Sequence, residues 1–400
     1  MRIVPLRFTC ARPKVYRRAW PVSILCALPT CLAGLIGVLA LSACSDQSSP
    51  ASPTPEAVAP EPAPEPAPVA GEAHDQAELS ELASRARAVF GTLPAIAENP
   101  ANPSSQERVA LGRMLYVEDR LSKNHDISCN TCHPLDNYGV DNLAFSIGHE
   151  GFRGGRNSPS SFNAAIHVAQ FWDGRAADVE AQAKGHLLNP IEMAMPSTAA
   201  VETVLRSIPG YAAPFAAAFP DDDEPVSFDN MALAIGAFER LLMTPSRVDE
   251  FMAGDLAALT TQEQTGLGTF MGAGCIQCHH GPGIGGSGYQ KIGLVNTYDG
   301  PDPGRMAVTG SRNDFQIFKV PSLRNVAKTA PYFHDASIKT LDEAVRAMAH
   351  LQLGRELTEE AVADIVAFLS ALTGEPDPEL VAVPVLPESG PTTPPPDPTG

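Results

Sequence analysis

The chain has no cysteine to spare for a structural disulfide. Four of its eight cysteines lie in the first 44 residues, and the other four form two Cys-x-x-Cys pairs, Cys129/Cys132 and Cys275/Cys278. Sustained alternation of apolar and polar residues is also lacking. No segment beyond residue 41 approaches the ~20 apolar residues that a membrane-spanning helix needs. These absences argue against a disulfide-stabilised scaffold, a β-rich fold and a membrane-embedded body.

Positive charge is scarce as well. Against 46 Asp and Glu there are 28 Lys and Arg, which gives a formal net charge of −18. Loss of the basic N-terminal leader would make the mature chain more negative still. An acidic surface disfavours nucleic acid as a partner. It favours a basic protein partner, although the same charge would also serve solubility alone.

Both cysteine pairs of the body are followed at once by a histidine. The two motifs are Cys129-Asn130-Thr131-Cys132-His133 and Cys275-Ile276-Gln277-Cys278-His279. This is the attachment signature of c-type haem: the thiols bond to the porphyrin vinyl groups and the histidine becomes the proximal iron ligand. A single Cys-x-x-Cys could instead be a zinc knuckle or a redox dithiol. Two copies with the histidine in place favour two covalently bound haems.

The first 44 residues predict export. Six Lys and Arg precede an apolar run at residues 22–41, and Leu41-Ser42-Ala43-Cys44 resembles a bacterial lipobox. Residues 1–43 are therefore predicted to be a signal peptide of the lipoprotein type, cleaved before a lipidated Cys44. An ordinary secretory signal or an uncleaved anchor are the alternatives. Each of the three delivers the chain to the periplasm.

Two segments rich in proline flank the body. Residues 44–76 read as a Pro/Ala-rich, semi-rigid tether between a lipid anchor and the folded part. Residues 376–400 have a similar composition and are predicted to be a disordered tail.

Between these segments the apolar periodicity is helical. Ser104-x-x-Glu107 and Thr260-x-x-Glu263 have the capping-box pattern that opens a helix. Two apolar stripes at helical spacing are formed by Met231, Ile235, Phe238 and Leu242 and by Val362, Ile365, Leu369 and Leu372. The predicted fold class is mainly α, with two cytochrome-c-like haem domains and long irregular loops. The expected domains are residues 77–243 and 244–375.

Two long stretches, residues 147–193 and 318–354, resemble the bacterial di-haem cytochrome c peroxidases, which are related to the MauG-like di-haem enzymes. The resemblance covers roughly residues 80–375. It implies that the N-terminal domain holds the peroxidatic haem and that the C-terminal domain holds an electron-transfer haem.

The resemblance also implies roles for individual residues. His149 resembles a displaceable ligand of the first haem iron, and Glu192 resembles the catalytic carboxylate, whose pKa burial beside a haem should raise. Gln182 resembles a neutral hydrogen-bond partner in the same pocket. Trp172 resembles an aromatic bridge between the haems, and Met348 resembles the sixth ligand of the second haem.

Each of these residues also has a plainer interpretation. His149 could be a surface-loop histidine and Glu192 an exposed glutamate at a helix entry. Trp172 and Met348 could simply pack in a core. The functional roles therefore depend on the resemblance.

A calcium site is implied by the resemblance alone. Asn157, Thr329 and Pro331 match its ligands, one side-chain amide oxygen and two backbone carbonyls. Such hard oxygen donors suit Ca²⁺.

The implied activity is reduction of hydrogen peroxide to water with electrons from a cytochrome c or a small copper protein. The resemblance further implies a homodimer, and the lipobox implies a membrane anchor. Two alternatives stay open: an enzyme of the same scaffold that oxidises a protein or a small substrate, and a non-enzymatic di-haem electron carrier.

Overall fold

The computed structural model describes residues 75–398. The predicted signal peptide, Cys44 and nearly all of the predicted tether lie outside this range. The described helices, in chain order, are α1 (Gln76–Phe90), α2 (Gln106–Tyr116), α3 (Cys129–Cys132), α4 (Val179–Leu188), α5 (Thr198–Ser207), α6 (Ala212–Ala218), α7 (Phe228–Glu239), α8 (Arg247–Ala253), α9 (Thr261–Ala273), α10 (Met306–Thr309), α11 (Leu341–Met348), α12 (Glu359–Ala371) and α13 (Pro378–Val381).

Strands contribute little to the described fold. β1 (Tyr289–Lys291) pairs antiparallel with β2 (Ile317–Lys319), with Tyr289 opposite Lys319, and this ribbon is the whole sheet structure of residues 75–398. Short 3₁₀ turns and irregular loops join the helices. The predicted fold class, mainly α with long irregular loops, is confirmed.

The helix starts follow local capping chemistry. The Thr260 hydroxyl accepts a hydrogen bond from the backbone N–H of Glu263, and the Glu263 carboxylate accepts one from the backbone N–H of Thr260, as the capping box predicts. The other predicted box is displaced by one residue: Ser105, rather than Ser104, accepts from the backbone N–H of Arg108 and caps α2. Both serines have a side chain that can cap a helix. Ser105 is the one that directly precedes the first turn of α2 and has the extended backbone of an N-cap residue.

Two helix pairs are built in the same way. α2 crosses α7 at Gly112, where an added Cβ would lie 1.9 Å from the carbonyl oxygen of Ala234. α9 crosses α12 at Gly266, where an added Cβ would lie 1.8 Å from the carbonyl oxygen of Asp364. Only glycine allows backbones to approach this closely. Because each pair brackets one Cys-x-x-Cys-His motif along the chain, the chain uses one arrangement twice.

Each helix pair has its own hydrophobic core. The first core is built by α2, α4, α5, α6 and α7, and the second by α8, α9 and α12. The predicted domain boundary differs from this division at one end. α1 belongs to the second core, because its buried residues Ala83, Ala86 and Phe90 pack in the cluster that contains Phe251 of α8.

The C-terminal tail does not match the predicted disorder. α13 packs its apolar residues against the first core. The guanidinium of Arg113 donates to the carbonyl of Ala382 at 2.5 Å, and that of Arg120 donates to the carbonyl of Pro387 at 2.9 Å. Composition predicts disorder because the tail has few apolar side chains, but its free carbonyls are what the arginines bind.

Within residues 75–398, no helix combines the length and apolar character needed to cross a bilayer.

Candidate haem sites

Each Cys-x-x-Cys-His motif opens onto its own cavity. The first cavity has a volume of about 360 Å³ and the second about 380 Å³. Their motif residues are, respectively, Cys129, Cys132 and His133, and Cys275, Cys278 and His279. All four thiols are free. Both cavities therefore offer the two thiols and one imidazole that c-type haem attachment requires.

The two motif histidines are prepared as metal ligands. Nδ1 of His133 donates to the carbonyl of Gly139 at 3.2 Å, and Nδ1 of His279 donates to that of Ile284 at 3.3 Å. Each ring therefore keeps Nε2 for the cavity. Burial lowers the pKa of His133, and it lowers that of His279 to about 4. Both rings are thus neutral, which is the form that binds a metal.

The second cavity is largely apolar and contains Met348 in its wall. Met348 is the last residue of α11, where the helix passes into a π-helical turn at Ala349–Leu353. Turns of this kind recur at functional sites. The structure therefore brings Met348 and His279 to the same cavity, and a thioether together with an imidazole fits an electron-transfer haem.

A buried amine also lines the second cavity. The Lys319 side chain is 4% exposed, and its Nζ lies 3.3 Å from Nδ1 of His167. Burial lowers the pKa of Lys319 to about 8. A cation held in an apolar wall fits the carboxylate groups of a haem.

The first cavity carries most of the polar chemistry. Gln182 and His186 lie one turn apart on α4, and Glu192 follows in the turn after that helix. All three line the cavity and are half-buried. Nδ1 of His186 donates to Oε2 of Glu192 at 2.5 Å. The predicted residues Glu192 and Gln182 therefore reach the cavity of His133, together with a histidine to which the sequence analysis gives no role.

The expected rise in the pKa of Glu192 does not occur. Burial raises this pKa, but the hydrogen bond from His186 and the charges of His186 and Arg175 lower it by more. The net shift is downward from 4.5. The expectation considered only burial, whereas a donor at hydrogen-bond distance stabilises the charged form.

His149 is placed beside Glu192 by its backbone rather than by its ring. The N–H of His149 donates to the carbonyl of Glu192 at 2.8 Å, and a Cβ at Gly148 would lie 2.1 Å from the carbonyl of Ile191. The His149 ring is 5% exposed, and Gly148 rather than this ring lines the first cavity. The structure thus brings the His149 loop, but not its side chain, to the site.

Trp172 stands in the wall that the two cavities share. It lines both cavities, as do residues 157–160. Its Nε1 donates to the carbonyl of Asn157 at 2.8 Å, and its own carbonyl accepts from the N–H of Lys319 at 2.7 Å. These bonds fix the indole between the two sites, which is the position that an aromatic bridge needs.

The three predicted calcium ligands belong to the wall of the second cavity. Asn157, Thr329 and Pro331 all line it. The side-chain N–H of Asn157 donates to the carbonyl of Leu143 at 2.9 Å, which leaves its amide oxygen for another partner. An amide oxygen is a hard donor of the kind that Ca²⁺ binds.

His186 lines the first cavity, although the sequence indicates no ligand role for it. Its spacing of four from Gln182 puts both on one face of a helix. Glu192 follows only six residues later, past the helix end. These two spacings are the features of the sequence that indicate a shared site for Gln182, His186 and Glu192.

One mostly helical chain with two Cys-x-x-Cys-His cavities and a common wall defines a protein of the di-haem c type. A family model described as di-haem cytochrome c peroxidase matches residues 106–257. The cytochrome c551 peroxidase of Pseudomonas aeruginosa is 45% identical over 325 residues, which cover 80% of this chain and 93% of that protein. The cytochrome c551 peroxidase of Nitrosomonas europaea is 46% identical over 296 residues, 73% of this chain and 87% of that protein.

A solved structure agrees with these relatives. A MauG-like protein associated with microbial copper homeostasis superposes with a TM-score of 0.65 at 31% identity, and the match covers 74% of this chain and 96% of that one. The chain belongs to the di-haem cytochrome c peroxidase family.

Proposed function

We propose that this protein reduces hydrogen peroxide to water with electrons from a small periplasmic donor protein. The observation that carries the proposal is the pairing of Glu192 with the cavity of His133, while a methionine, Met348, lines the cavity of His279. When bound, the two haems would supply the redox chemistry, one as an electron store and the other as the iron centre where the O–O bond is reduced. The reaction consumes two electrons and two protons per peroxide and yields two waters.

The task of Glu192 is proton transfer. Cleavage of the O–O bond requires that one peroxide oxygen lose a proton and that the departing oxygen gain one. Oε2 of Glu192 is occupied by His186, so Oε1 is the oxygen that accepts the proton and returns it. Gln182, one helical turn from His186, offers a neutral amide that can hold peroxide or water without competing for the proton.

A matched pair of variants tests this role. Glu192→Gln keeps the shape of the side chain but removes the basic oxygen, so we expect peroxidase turnover to fall by about 10²-fold or more with both haems retained. Glu150→Gln changes an exposed glutamate of the His149 loop and should leave turnover unchanged. Steady-state oxidation of reduced cytochrome c measures both. Undiminished turnover in Glu192→Gln would contradict the proton-transfer role.

The positions of Glu192 and His149 also test the alternative that the protein is a non-enzymatic di-haem electron carrier. That hypothesis expects neither Glu192 nor His149 at the first haem. Glu192 lines the first cavity, whereas the His149 ring does not. A pure carrier has no use for a carboxylate paired with a histidine there, and this supports the enzyme.

The donor is expected to be basic. The chain has a net charge of −18, and opposite fields speed the encounter of two proteins. A cytochrome c and a small copper protein both remain candidates. Electrons would enter at the second cavity, and Trp172 in the shared wall would shorten their path to the first.

The remaining features of the proposal concern assembly and place. Calcium held by Asn157, Thr329 and Pro331 would brace the wall between the cavities, and two copies of the chain would form a dimer. The lipobox at Cys44 would anchor the protein to a periplasmic membrane face. Cys44→Ala should then move the protein from the membrane fraction to the soluble periplasm, and an unchanged distribution on immunoblots would refute lipidation.

A further inference from the structure

Glu239, the last residue of α7, contributes a buried carboxyl group to the wall of the first cavity. The residue is 6% exposed, and within residues 75–398 its side chain makes no hydrogen bond and no ion pair. An ionised carboxylate is costly to bury without a cation or hydrogen-bond donors beside it. The packing of the fold does not account for this acid, so the charge state of Glu239 is the point to explain.

The cation next to Glu239 in the sequence is already bound by another acid. Nε and Nη2 of Arg240 donate to the two carboxylate oxygens of Glu180 at 2.9 and 2.8 Å. Nη1 of Arg240 donates to the carbonyl of Ala97 at 2.9 Å, and Asn102 donates to Glu180 at 2.8 Å. Two acids therefore share the surroundings of one arginine. Its hydrogen bonds keep Glu180 ionised and leave Glu239 as the acid that retains a proton.

The groups that face Glu239 from the neighbouring elements do not stabilise its charge. They are the acid Glu180 of α4, the phenol Tyr116 of α2 and the thiol Cys129 of α3. The other elements packed against α7, which are α5 and the turn at residues 164–166, bring no charge to bear on it. Burial and the charge of Glu180 raise the pKa of Glu239 to about 8, although Arg240 acts in the opposite direction. The carboxyl group is therefore protonated at neutral pH and can lose its proton in mild base.

Glu239 also lies within electrostatic reach of the haem attachment site. Burial, and after it the charge of Glu239, raises the pKa of the Cys129 thiol and of the Tyr116 phenol. The Tyr116 hydroxyl in turn donates to the carbonyl of His133, the histidine of the same motif, at 2.9 Å. A charge on Glu239 would therefore act on an iron centre held at Cys129 and His133, and a charge at that centre would act on Glu239.

The second half of the chain has an apolar residue at the equivalent position. Phe238 of α7 lies against the glycine of the α2 crossing, and Phe368 of α12 lies against the glycine of the α9 crossing. The residues that follow these two phenylalanines are Glu239 and Leu369, and Leu369 lines the second cavity. One arrangement thus gives a carboxyl group to the first cavity and a leucine to the second.

We propose that Glu239 couples electron transfer at the first haem to proton uptake. Glu239 binds one proton when one electron enters this site and releases that proton when the electron leaves. An oxidised, more positive site favours the carboxylate, and a reduced site favours the neutral acid. The O–H bond of the carboxyl group is the only bond formed or broken, and the added proton offsets the added negative charge. The inference needs a haem at Cys129 and Cys132, as the proposed function does, but it does not depend on peroxide as the substrate.

The reduction potential of the first haem, measured against pH, tests the coupling. In spectroelectrochemical titrations of the full-length, haem-loaded protein from about pH 6 to about pH 10, the potential should fall as the pH rises. The equilibrium constant for reduction should decrease by up to about tenfold per pH unit, which is about 59 mV for one electron. Glu239→Gln has no proton to exchange, so its first haem should lose most of this dependence.

The molecule contains its own control. Because Leu369 takes the place of the carboxyl group in the second half, Glu239→Gln should leave the potential of the second haem unchanged at every pH. Glu107→Gln removes an exposed carboxylate of α2 in the same half, and it should leave the pH dependence of the first haem intact. A dependence that persists in Glu239→Gln, or that Glu107→Gln also abolishes, would overturn the proposal.

A second measurement keeps the test decisive if Glu239→Gln takes up less haem. Infrared difference spectra of the reduced minus the oxidised protein should contain the C=O band of a carboxyl group that gains a proton on reduction. Glu239→Asp keeps the acid but shortens the side chain, so this band should shift while the pH dependence persists. Absence of the band in the unaltered protein, or a band that Glu239→Asp leaves unshifted, contradicts the assignment. Peroxide turnover is measured separately, so a failure of the proposed function is distinguishable from a failure of this coupling.

Discussion

The crossing of α9 and α12 gives a quantitative prediction for Gly266→Ala. The added Cβ would lie 1.8 Å from the carbonyl oxygen of Asp364 and 3.0 Å from Cβ of Phe368. The nearest obstacle is backbone, so no side-chain rotation relieves the clash and the helices must separate by about 1 Å. Overpacking of this kind costs about 1–3 kcal/mol, and a rigid obstacle places it at the upper end. The better helix propensity of alanine returns about 1 kcal/mol. The net loss of unfolding free energy should be about 2 kcal/mol.

The matched control lies on the same helix. Gly272 is exposed, and an added Cβ there meets nothing within 4 Å. Gly272→Ala should therefore stabilise the protein by about 1 kcal/mol through helix propensity alone. Guanidinium unfolding followed by far-ultraviolet circular dichroism measures both variants. If Gly266→Ala proves as stable as the unaltered protein, the close backbone approach at this crossing is not what the structure indicates.

Two further predictions concern a buried ion pair and the second cavity. Glu180→Gln leaves the guanidinium of Arg240 buried without its carboxylate, 2.8 Å away, and should cost about 3–5 kcal/mol at neutral pH. The exposed pair Glu359/Arg346 is the control, and Glu359→Gln should cost at most about 0.5 kcal/mol. Burial raises the pKa of Glu180, but the bonds from Arg240 and from a buried asparagine lower it by more, to below 4.5. The stabilisation is therefore complete above pH 4.5 and is lost as the pH falls through the lowered pKa. A difference between Glu180→Gln and the unaltered protein that stays constant from pH 7 into this acid range would refute the linkage. Met348→Leu should lower the reduction potential of one haem only in a spectroelectrochemical titration. Unchanged potentials would show that Met348 is not a ligand and would favour the substrate-oxidising alternative.

The helices could be predicted from the sequence where apolar residues recur at helical spacing. The stripe Met231, Ile235 and Phe238 is fully buried in α7, and Val362 and Ile365 are 1% exposed in α12. Apolar periodicity finds such faces because burial of one side of a helix is their main stabilising term. The same rule does not say which core a helix joins.

The less predictable features depend on partners distant in the chain. Nothing local to α1 indicates that Phe90 packs near Phe251 rather than in the first core. The carbonyl of Pro387 is bound by Arg120, a residue 267 positions away. Sequence patterns describe the side chains of a segment, whereas these contacts depend on where the rest of the chain leaves an unsatisfied donor or an open apolar face.

The candidate site divides in the same way. The two motifs could be found because covalent haem attachment requires fixed residue types, and Glu192 could be found only through the resemblance of residues 147–193 to a family. The bond between His186 and Glu192 could not, since it depends on the turn that follows α4. Burial alone predicts the wrong direction for the pKa of Glu192, because the hydrogen bond from His186 that lowers this pKa depends on the same turn.

The two cavities differ in the side chains that cover each motif. Both halves use a helix pair crossing at a glycine, Gly112 or Gly266, so the scaffold around each motif is alike. Before the closing helix of the first half, α4 and its following turn bring a carboxylate and a histidine to the cavity. Before the closing helix of the second half, α11 and its π-turn bring Met348 instead. Two halves built on one arrangement can thus differ in the groups that line their cavities, because the segment between the motif and the last helix supplies different side chains in each half.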